Sequence, residues 1–217
     1  MNALNMFFSS MIGRKVIMGI TGLFLCSFLV VHLSGNVLLL TDSTGEAFNE
    51  YSHFMETNGI IRIMEFVLLF GFLFHIIDGA LLTKQNRGAR PTAYAAPPSP
   101  ESSSWFSRNM GLTGSIILIF LIVHLRSFLV EHRFIGTDMS MYDSVATTFS
   151  DSIYTGFYVL AMILLSFHLN HGFQSAFQTL GLNDKGYAPV LRNAGLAFSI
   201  LVPAGFASIP IYFFVTQ

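Results

Sequence analysis

Apolar residues are concentrated in five long stretches of the chain, and polar residues fall mainly between them. A helix of roughly 20 residues crosses a hydrocarbon layer about 30 Å thick, and each stretch is long enough to do so. Backbone polar groups inside a bilayer must be satisfied within their own segment, which favours a helix for every stretch. The pattern therefore predicts an all-α membrane protein with five transmembrane helices. The predicted spans are residues 16–40, 60–83, 111–134, 153–180 and 191–214.

The composition supports this fold class. Of the 217 residues, 53% are hydrophobic and only 11% are charged, and the mean hydropathy is +0.61. Such values are typical of membrane proteins. No connection is long enough to form a separate soluble domain, so we expect one integral membrane domain over residues 1–217. Residues 84–108, rich in Pro, Ser and Ala, are expected to form an irregular linker. The first 15 residues lack the features of a cleaved secretory signal, and we expect them to be retained.

Charged residues separate by side once the spans are drawn. Basic residues cluster on the side of the amino terminus, and acidic residues cluster on the opposite side. The positive-inside rule then predicts a cytoplasmic amino terminus and an external carboxyl terminus in a bacterial-type inner membrane. The basic group is Arg14, Lys15, Lys84, Arg87, Arg90, Arg108, Lys185 and Arg192, and the acidic group is Asp42, Glu46, Glu50, Glu56, Asp138, Asp143 and Asp151.

Cysteine usage restricts the redox chemistry of the chain. Cys26 is the only cysteine, and it lies within the first predicted span. The chain therefore forms no internal disulfide and cannot supply the thiolates of an iron–sulfur cluster. Any such cluster must belong to another subunit.

Four histidines lie well inside consecutive predicted spans, namely His32, His75, His124 and His168. An ionisable residue at that depth is costly and suggests a function. One such histidine alone would more often be an interhelical hydrogen-bond donor. Successive spans cross in opposite directions with a rise of about 1.5 Å per residue, so depth can be estimated from position. His32 and His124 fall in the outer half of the membrane, and His75 and His168 fall in the inner half.

Two histidine pairs at two depths are what two stacked metal centres require. Neutral imidazole is a good ligand for iron, and a porphyrin held between two histidines carries electrons rather than binding oxygen. His171, three residues after His168, lies near the same helix face, so either could be the fourth ligand. Glycines near the histidines favour a flat macrocycle, although close helix packing would use the same spacing. These glycines are Gly35, Gly71, Gly79 and Gly172.

Four segments resemble the cytochrome b membrane-anchor subunit of the succinate dehydrogenase and fumarate reductase family, in its single-chain, five-helix, dihaem form. They are FLVVHLSGN, AFNEYSHFMETNGIIRIMEFVLLFGFLFHIIDG, LIFLIVHL and FHLNHGFQSAFQTLGL. Each motif alone is weak, but their order and separations together are fairly specific. They cover spans one to four and the first outer loop.

The resemblance implies a four-helix core that holds two haem b groups, with a fifth helix beside it. It makes His75 and His168 the axial ligands of the inner haem, and His32 and His124 those of the outer haem. His171 would then have a secondary role, such as bonding a propionate. The resemblance also implies a flavoprotein subunit with FAD and an iron–sulfur subunit on the cytoplasmic side. Electrons from succinate would pass to a quinone in the membrane, or run in reverse, and no nucleic acid is involved.

A quinone site also needs a group that exchanges protons. His53 and Glu56 are three residues apart in the first outer loop and share one face if that loop is helical. The resemblance associates an acid at this position with a menaquinone site near the outer haem, and the alternative is a helix cap or a salt bridge. Arg126 is a candidate to neutralise a propionate of the outer haem, and Arg62 a candidate for the same role or for bonding the quinone oxygen. His132, near the outer surface, is expected to be a solvated side chain.

Two other functions fit the same features. Axial ligation does not identify the electron donor, so a dihaem cytochrome b of a formate or hydrogen enzyme is one alternative. The other is a proton-coupled transporter whose histidines form a relay.

Overall fold

The structure is a computed structural model that describes residues 10–88 and 108–216. Most of the predicted linker 84–108 and the first nine residues lie outside the described residues, whereas the second long helix runs on to Gly88, beyond the predicted end of its span. A π-helical segment, Leu125–Ile135, directly continues the helix before it. The α-helices are α1 (Met11–Asn36), α2 (Leu38–Thr41), α3 (Glu46–Thr57), α4 (Gly59–Gly88), α5 (Met110–His124), α6 (Met141–Phe149), α7 (Ser152–Thr179) and α8 (Ala188–Thr216).

The five predicted spans are confirmed. Within the described ranges, five helical stretches are long and apolar enough to cross a membrane, and no β-strand is present there. The first stretch joins α1 and α2, and the third joins α5 and the π-helical segment. The spans are Met11–Thr41, Gly59–Gly88, Met110–Ile135, Ser152–Thr179 and Ala188–Thr216.

Side-chain caps are found at the start of several helices. The Ser10 hydroxyl accepts a hydrogen bond from the Gly13 amide at 3.0 Å, at the start of α1. The Asp151 carboxylate accepts from the amides of Ile153 and Tyr154 at the start of α7. Such caps satisfy amide groups that have no partner within the helix. Ser140 caps α6 in the same way.

The spans pack as a four-helix arrangement with α8 on its outside. Neighbours around the bundle are α1 with α4, α1 with α7, and α5 with α7, while α8 packs mainly on α7. The helices α1 and α5 face each other diagonally across the bundle, as do α4 and α7. This arrangement matches the expected four-helix core with a fifth helix beside it.

The densely packed core lies to one side and at the outer end of the bundle. Buried residues from α2, α3, α6, α7 and α8 form a cluster at the outer end, where Leu39 and Phe213 are 1% and 2% exposed. A second cluster on α7 comprises Ala161, Met162 and its neighbours and packs against α1 and α8. In contrast, Gly71 and Leu82 are the only buried residues of α4. The interior between α4, α5 and α7 is therefore left for a cavity.

The short helices α3 and α6 cover the outer end of the bundle. The Asn49 side-chain oxygen accepts a hydrogen bond from the Tyr142 amide at 3.0 Å, which joins α3 to α6. Gly45, with φ of +75°, begins α3 beneath the Tyr142 ring, where a side chain would be strained. Gly35 of α1 accepts the ring of Tyr51, which packs α3 against the first span.

The contact between Gly35 and Tyr51 can be tested with a matched pair of glycine variants. A methyl group at Gly35 would meet the Tyr51 ring, so we expect Gly35→Ala to destabilise the protein by about 1–3 kcal/mol and to lower the melting temperature. Gly156 of α7 has open space around it, and Gly156→Ala should be neutral or stabilising by about 0.5–1 kcal/mol. Thermal unfolding of the two purified variants measures both effects. Equal melting temperatures would contradict this packing.

Candidate functional site

The four intramembrane histidines meet in two pairs, each formed across the diagonal of the bundle. The ring centroids of His32 on α1 and His124 on α5 are 5.9 Å apart, with ring planes at 80°. Those of His75 on α4 and His168 on α7 are 6.2 Å apart, with planes at 70°. Two imidazoles that bind one metal from opposite sides have centroids about 6 Å apart, because each metal–nitrogen bond is about 2 Å long. Both pairs therefore have the spacing of axial ligands.

Hydrogen bonds of three of the four rings involve Nδ1. The Nδ1 atom of His75 lies 3.3 Å from the Thr21 hydroxyl, and that of His124 lies 3.4 Å from the Tyr158 hydroxyl. The Nδ1 atom of His32 lies 3.3 Å from the side-chain nitrogen of Asn36. The Thr21 and Tyr158 hydroxyls can accept from a protonated Nδ1, which leaves Nε2 of His75 and His124 available to a metal. A partner on the second ring nitrogen fixes the orientation of a metal-binding histidine.

His168 differs from the other three rings. Its Nδ1 atom is buried and has no hydrogen-bond partner among the described residues. A buried polar atom without a partner is costly, which indicates that the site is completed by something other than these side chains.

One large cavity contains both pairs in its wall. Its volume is about 1940 Å³, whereas a typical small-molecule site is about 300–1,000 Å³. The cavity runs from Lys15 and Lys84 at the end predicted to be cytoplasmic to Glu56, Arg62 and Arg133 at the other end. Its wall is mostly apolar, and it includes the rings of both histidine pairs.

Glycines keep the helix surface beside the inner rings clear. A Cβ atom on Gly22 would lie 3.4 Å from the His75 ring, and one on Gly114 would lie 3.6 Å from the His168 ring. Gly172 lines the cavity with open space beside it. Both Gly22 and Gly114 escaped the sequence analysis, because they face histidines on other helices.

The glycines selected from the sequence have two kinds of surroundings. Some line the cavity, as expected beside a macrocycle, and others allow close helix packing. Gly79 and Gly172 line the cavity, as a macrocycle site requires. Gly35 instead receives the Tyr51 ring and Gly71 receives the Phe24 ring, which is the alternative of close packing.

These residues fit a porphyrin better than a bare metal ion. Among residues 10–88 and 108–216, no three His, Cys, Asp or Glu side chains converge on one point. Each pair supplies two nitrogen ligands, so a metal bound here needs further ligands from another molecule. A haem supplies four nitrogens in a plane between two axial imidazoles, and the cavity has room for two such groups.

The structure distinguishes His171 from His168. His171 lines the cavity and is half-buried, but the ring that faces His75 is that of His168. A helix turn of 3.6 residues places the two side chains on adjoining parts of one face. His171 is thus placed beside the inner pair rather than in it.

At the outer end, the predicted quinone-site residues are only partly brought together. Glu56 lines the cavity, whereas His53 is exposed and lies outside its wall. Arg62 also lines the cavity, and its Nε and one terminal nitrogen donate to the Glu56 carbonyl oxygen. Tyr51 lies nearby in the wall, where burial raises the pKa of its hydroxyl. This end therefore offers a carboxylate, a guanidinium and a protonated phenol beside an apolar space.

Arg126 is placed away from the cavity. Its side chain is 57% exposed and forms an ion pair with Glu131, and neither residue lines the cavity. The π-helical segment begins at the residue after His124, so the turn that carries Arg126 has a different rotation from the α-helix before it.

Three polar residues in the outer wall were missed or misjudged by the sequence analysis. Arg133 donates to the Glu65 carboxylate at 2.7 Å, and Glu65 also accepts from Arg62 at 2.9 Å. His132, expected to be solvated, is half-buried in the wall and hydrogen-bonded to the Ser144 hydroxyl at 3.1 Å. Glu65 had a recognisable signal, a carboxylate inside an apolar span. The positions of His132 and Arg133 depend on the π-helical turn, for which the sequence has no recognised pattern.

Comparisons with known proteins add one relative. No family model matches the chain, and no solved structure matches it significantly. The chain is 26% identical over 159 residues to the succinate dehydrogenase cytochrome b558 subunit of Bacillus subtilis (strain 168), a match that covers 71% of this chain and 72% of the relative. This similarity agrees with the five apolar helices and the paired histidines. The chain is therefore similar to a cytochrome b membrane subunit of succinate dehydrogenase.

Proposed function

We propose that this chain is the dihaem membrane anchor of a succinate:quinone oxidoreductase. The observation that carries the proposal is that four imidazoles form two facing pairs, His32 with His124 and His75 with His168, in the wall of one cavity. When bound, two haem b groups would supply one-electron transfer along the membrane normal. The similarity to a succinate dehydrogenase subunit supports succinate as the source of the electrons.

The protein's part is to hold and orient these ligands. His32 and His124 are the proposed axial ligands at the outer position, and His75 and His168 are those at the inner position. Thr21 and Tyr158 fix two of the rings through Nδ1. Because each pair joins diagonal helices, a group bound between them also ties the bundle together.

Partner subunits supply the remaining redox groups. The chain lacks the cysteines of an iron–sulfur cluster, so the clusters and FAD belong to an iron–sulfur subunit and a flavoprotein subunit. We place both on the cytoplasmic side, where Lys15, Lys84 and Arg87 line the mouth of the cavity. A basic surface attracts a partner with complementary charge and also anionic lipid headgroups. The amino terminus would then be cytoplasmic and the carboxyl terminus external, in a bacterial-type inner membrane.

The quinone site is proposed at the outer end of the cavity. Glu56 lines the wall there and is the candidate for proton exchange, since quinone reduction takes two electrons and two protons. Arg62 holds the carbonyl oxygen of Glu56 and so fixes the last turn of α3 against α4. His53 remains a supporting candidate from the solvent side, and a menaquinone is the proposed substrate.

The first prediction from the proposed function concerns the axial ligands. Replacing His32, His75, His124 or His168 singly by alanine should remove at least one of the two haems. Each haem would be bound by two histidines, and the loss of one of them weakens its binding. His171→Ala is the matched control and should keep both haems. The measurement is the haem-to-protein ratio of each purified variant by pyridine haemochrome. A His171 variant that loses a haem, or a His168 variant that keeps both, would require a different ligand assignment.

The second prediction separates the electron donors. Adding succinate to membranes that contain the whole complex should reduce both haems, as seen in visible spectra. Haems that respond to formate or hydrogen but not to succinate would identify a cytochrome b of another dehydrogenase. If the wild-type chain contains no haem, the proton-coupled transporter becomes the favoured function.

The third prediction concerns Glu56. Glu56→Gln should reduce succinate:quinone turnover by about 10²-fold or more if this carboxylate exchanges the protons, while the haem content stays unchanged. Glu50→Gln is the control, since Glu50 is an exposed carboxylate of the same helix outside the cavity wall. Reduction of an artificial acceptor by succinate should be unaffected in both variants. Equal quinone turnover in the two variants would exclude Glu56 as the proton-exchanging group.

A further inference from the structure

The π-helical segment carries two ion pairs that face different environments. Arg133 pairs with Glu65 of α4, and both residues line the outer end of the cavity. Arg126 pairs with Glu131 of the same segment, and neither lines the cavity. The two pairs have the same chemistry, so they can be compared directly.

The Glu65 side chain lies at the depth of the outer histidine pair. Contacts between the antiparallel helices α1 and α4 place Gly22 beside His75 and Met18 beside Gly79. Because the two helices are antiparallel, moving one residue towards the carboxyl end of α1 corresponds to moving one residue towards the amino end of α4. The same register therefore places Glu65 opposite His32. Arg133 reaches this level because its terminal nitrogen is 2.7 Å from the Glu65 carboxylate.

Two guanidinium groups share the Glu65 carboxylate. Glu65 accepts hydrogen bonds from both Arg62 and Arg133. Arg62 directs its remaining donors to the Glu56 carbonyl oxygen. Arg133 uses one terminal nitrogen in its ion pair, and its Nε and other terminal nitrogen have no hydrogen-bond partner in the described residues. Arg133 therefore offers free donors in the outer wall of the cavity.

A carboxylate is the ligand that this arrangement suits. The planar guanidinium presents paired N–H groups that match the two oxygens of a carboxylate, and such charge-assisted bonds are strong where water is excluded. A haem held by His32 and His124 has propionate carboxylates at its edge.

We propose that Arg133, held in place by Glu65, binds a propionate of the outer haem. The inference rests on the proposed function, in which a haem lies between His32 and His124. It assigns to Arg133 the role that the sequence analysis gave to Arg126. Glu65 is then a positioning residue, because it acts on the haem through the arginine.

The experiment compares Arg133→Gln with Arg126→Gln in the purified complex. Resonance Raman spectra contain a band from bending of the haem propionates, and its frequency depends on hydrogen bonds to these carboxylates. We expect Arg133→Gln to shift this band and to lower the midpoint potential of one haem, because loss of a nearby cation favours the ferric state. Arg126→Gln should leave the band and both potentials at their wild-type values.

Two further variants keep the result interpretable. Arg133→Lys retains the positive charge but not the paired N–H groups of the guanidinium. The midpoint potential of the haem should therefore stay close to the wild-type value, while the Raman band should still shift. If Arg133→Gln does not retain the haem, Arg133→Lys takes its place in the comparison with Arg126→Gln. Glu65→Gln should shift the same band without changing the haem content, because Arg133 loses the carboxylate that holds it.

The outcomes separate this inference from the proposed function. A wild-type chain with two haems whose Raman band and potentials respond equally to Arg133→Gln and Arg126→Gln would overturn the inference and leave the dihaem anchor intact. An effect of Arg126→Gln alone would overturn it in favour of the original assignment. A wild-type chain without a haem at the outer pair would overturn both.

Discussion

The structure depends on histidine pairs that meet across the diagonals of a four-helix bundle. Neither diagonal pair of helices packs closely, because the space between His32 and His124, and between His75 and His168, is part of a cavity. The densest packing is accordingly found at the outer end of the bundle and against α8. An imidazole at membrane depth is costly without a partner, which supports the proposal that the cavity holds a ligand for these rings.

The π-helical segment determines what faces the outer end of that cavity. It begins directly after His124, and it places Arg126 outside the cavity wall and Arg133 within that wall. Arg133 then meets Glu65 from α4, and this ion pair connects the two helices at a level where they otherwise pack little. An irregular helical turn next to a candidate metal ligand is a common feature of functional sites.

Much of this architecture follows from elementary properties of the sequence. The length of each apolar stretch predicts the spans, and the alternating direction of the spans predicts that His32 shares its depth with His124, and His75 with His168. Rotation about a helix axis is harder to predict, because it depends on packing between helices. For that reason the sequence analysis missed Gly22 and Gly114, which face rings on other helices, and grouped the exposed His53 with Glu56. Arg126, two residues after His124 in the sequence, was selected as a propionate partner, whereas the structure places it outside the cavity wall on the π-helical segment.

The geometry of the paired rings gives the most direct test of the account. The imidazole planes are nearly perpendicular, at 80° in the outer pair and 70° in the inner pair. Ferric haem with two axial imidazoles is low-spin, and perpendicular planes produce a strongly anisotropic electron paramagnetic resonance signal. The oxidised wild-type protein should show two such signals, one of which disappears in His124→Ala and the other in His168→Ala. A protein without a haem signal, or with a single high-spin haem, would contradict the central claim that two imidazole pairs each hold a haem.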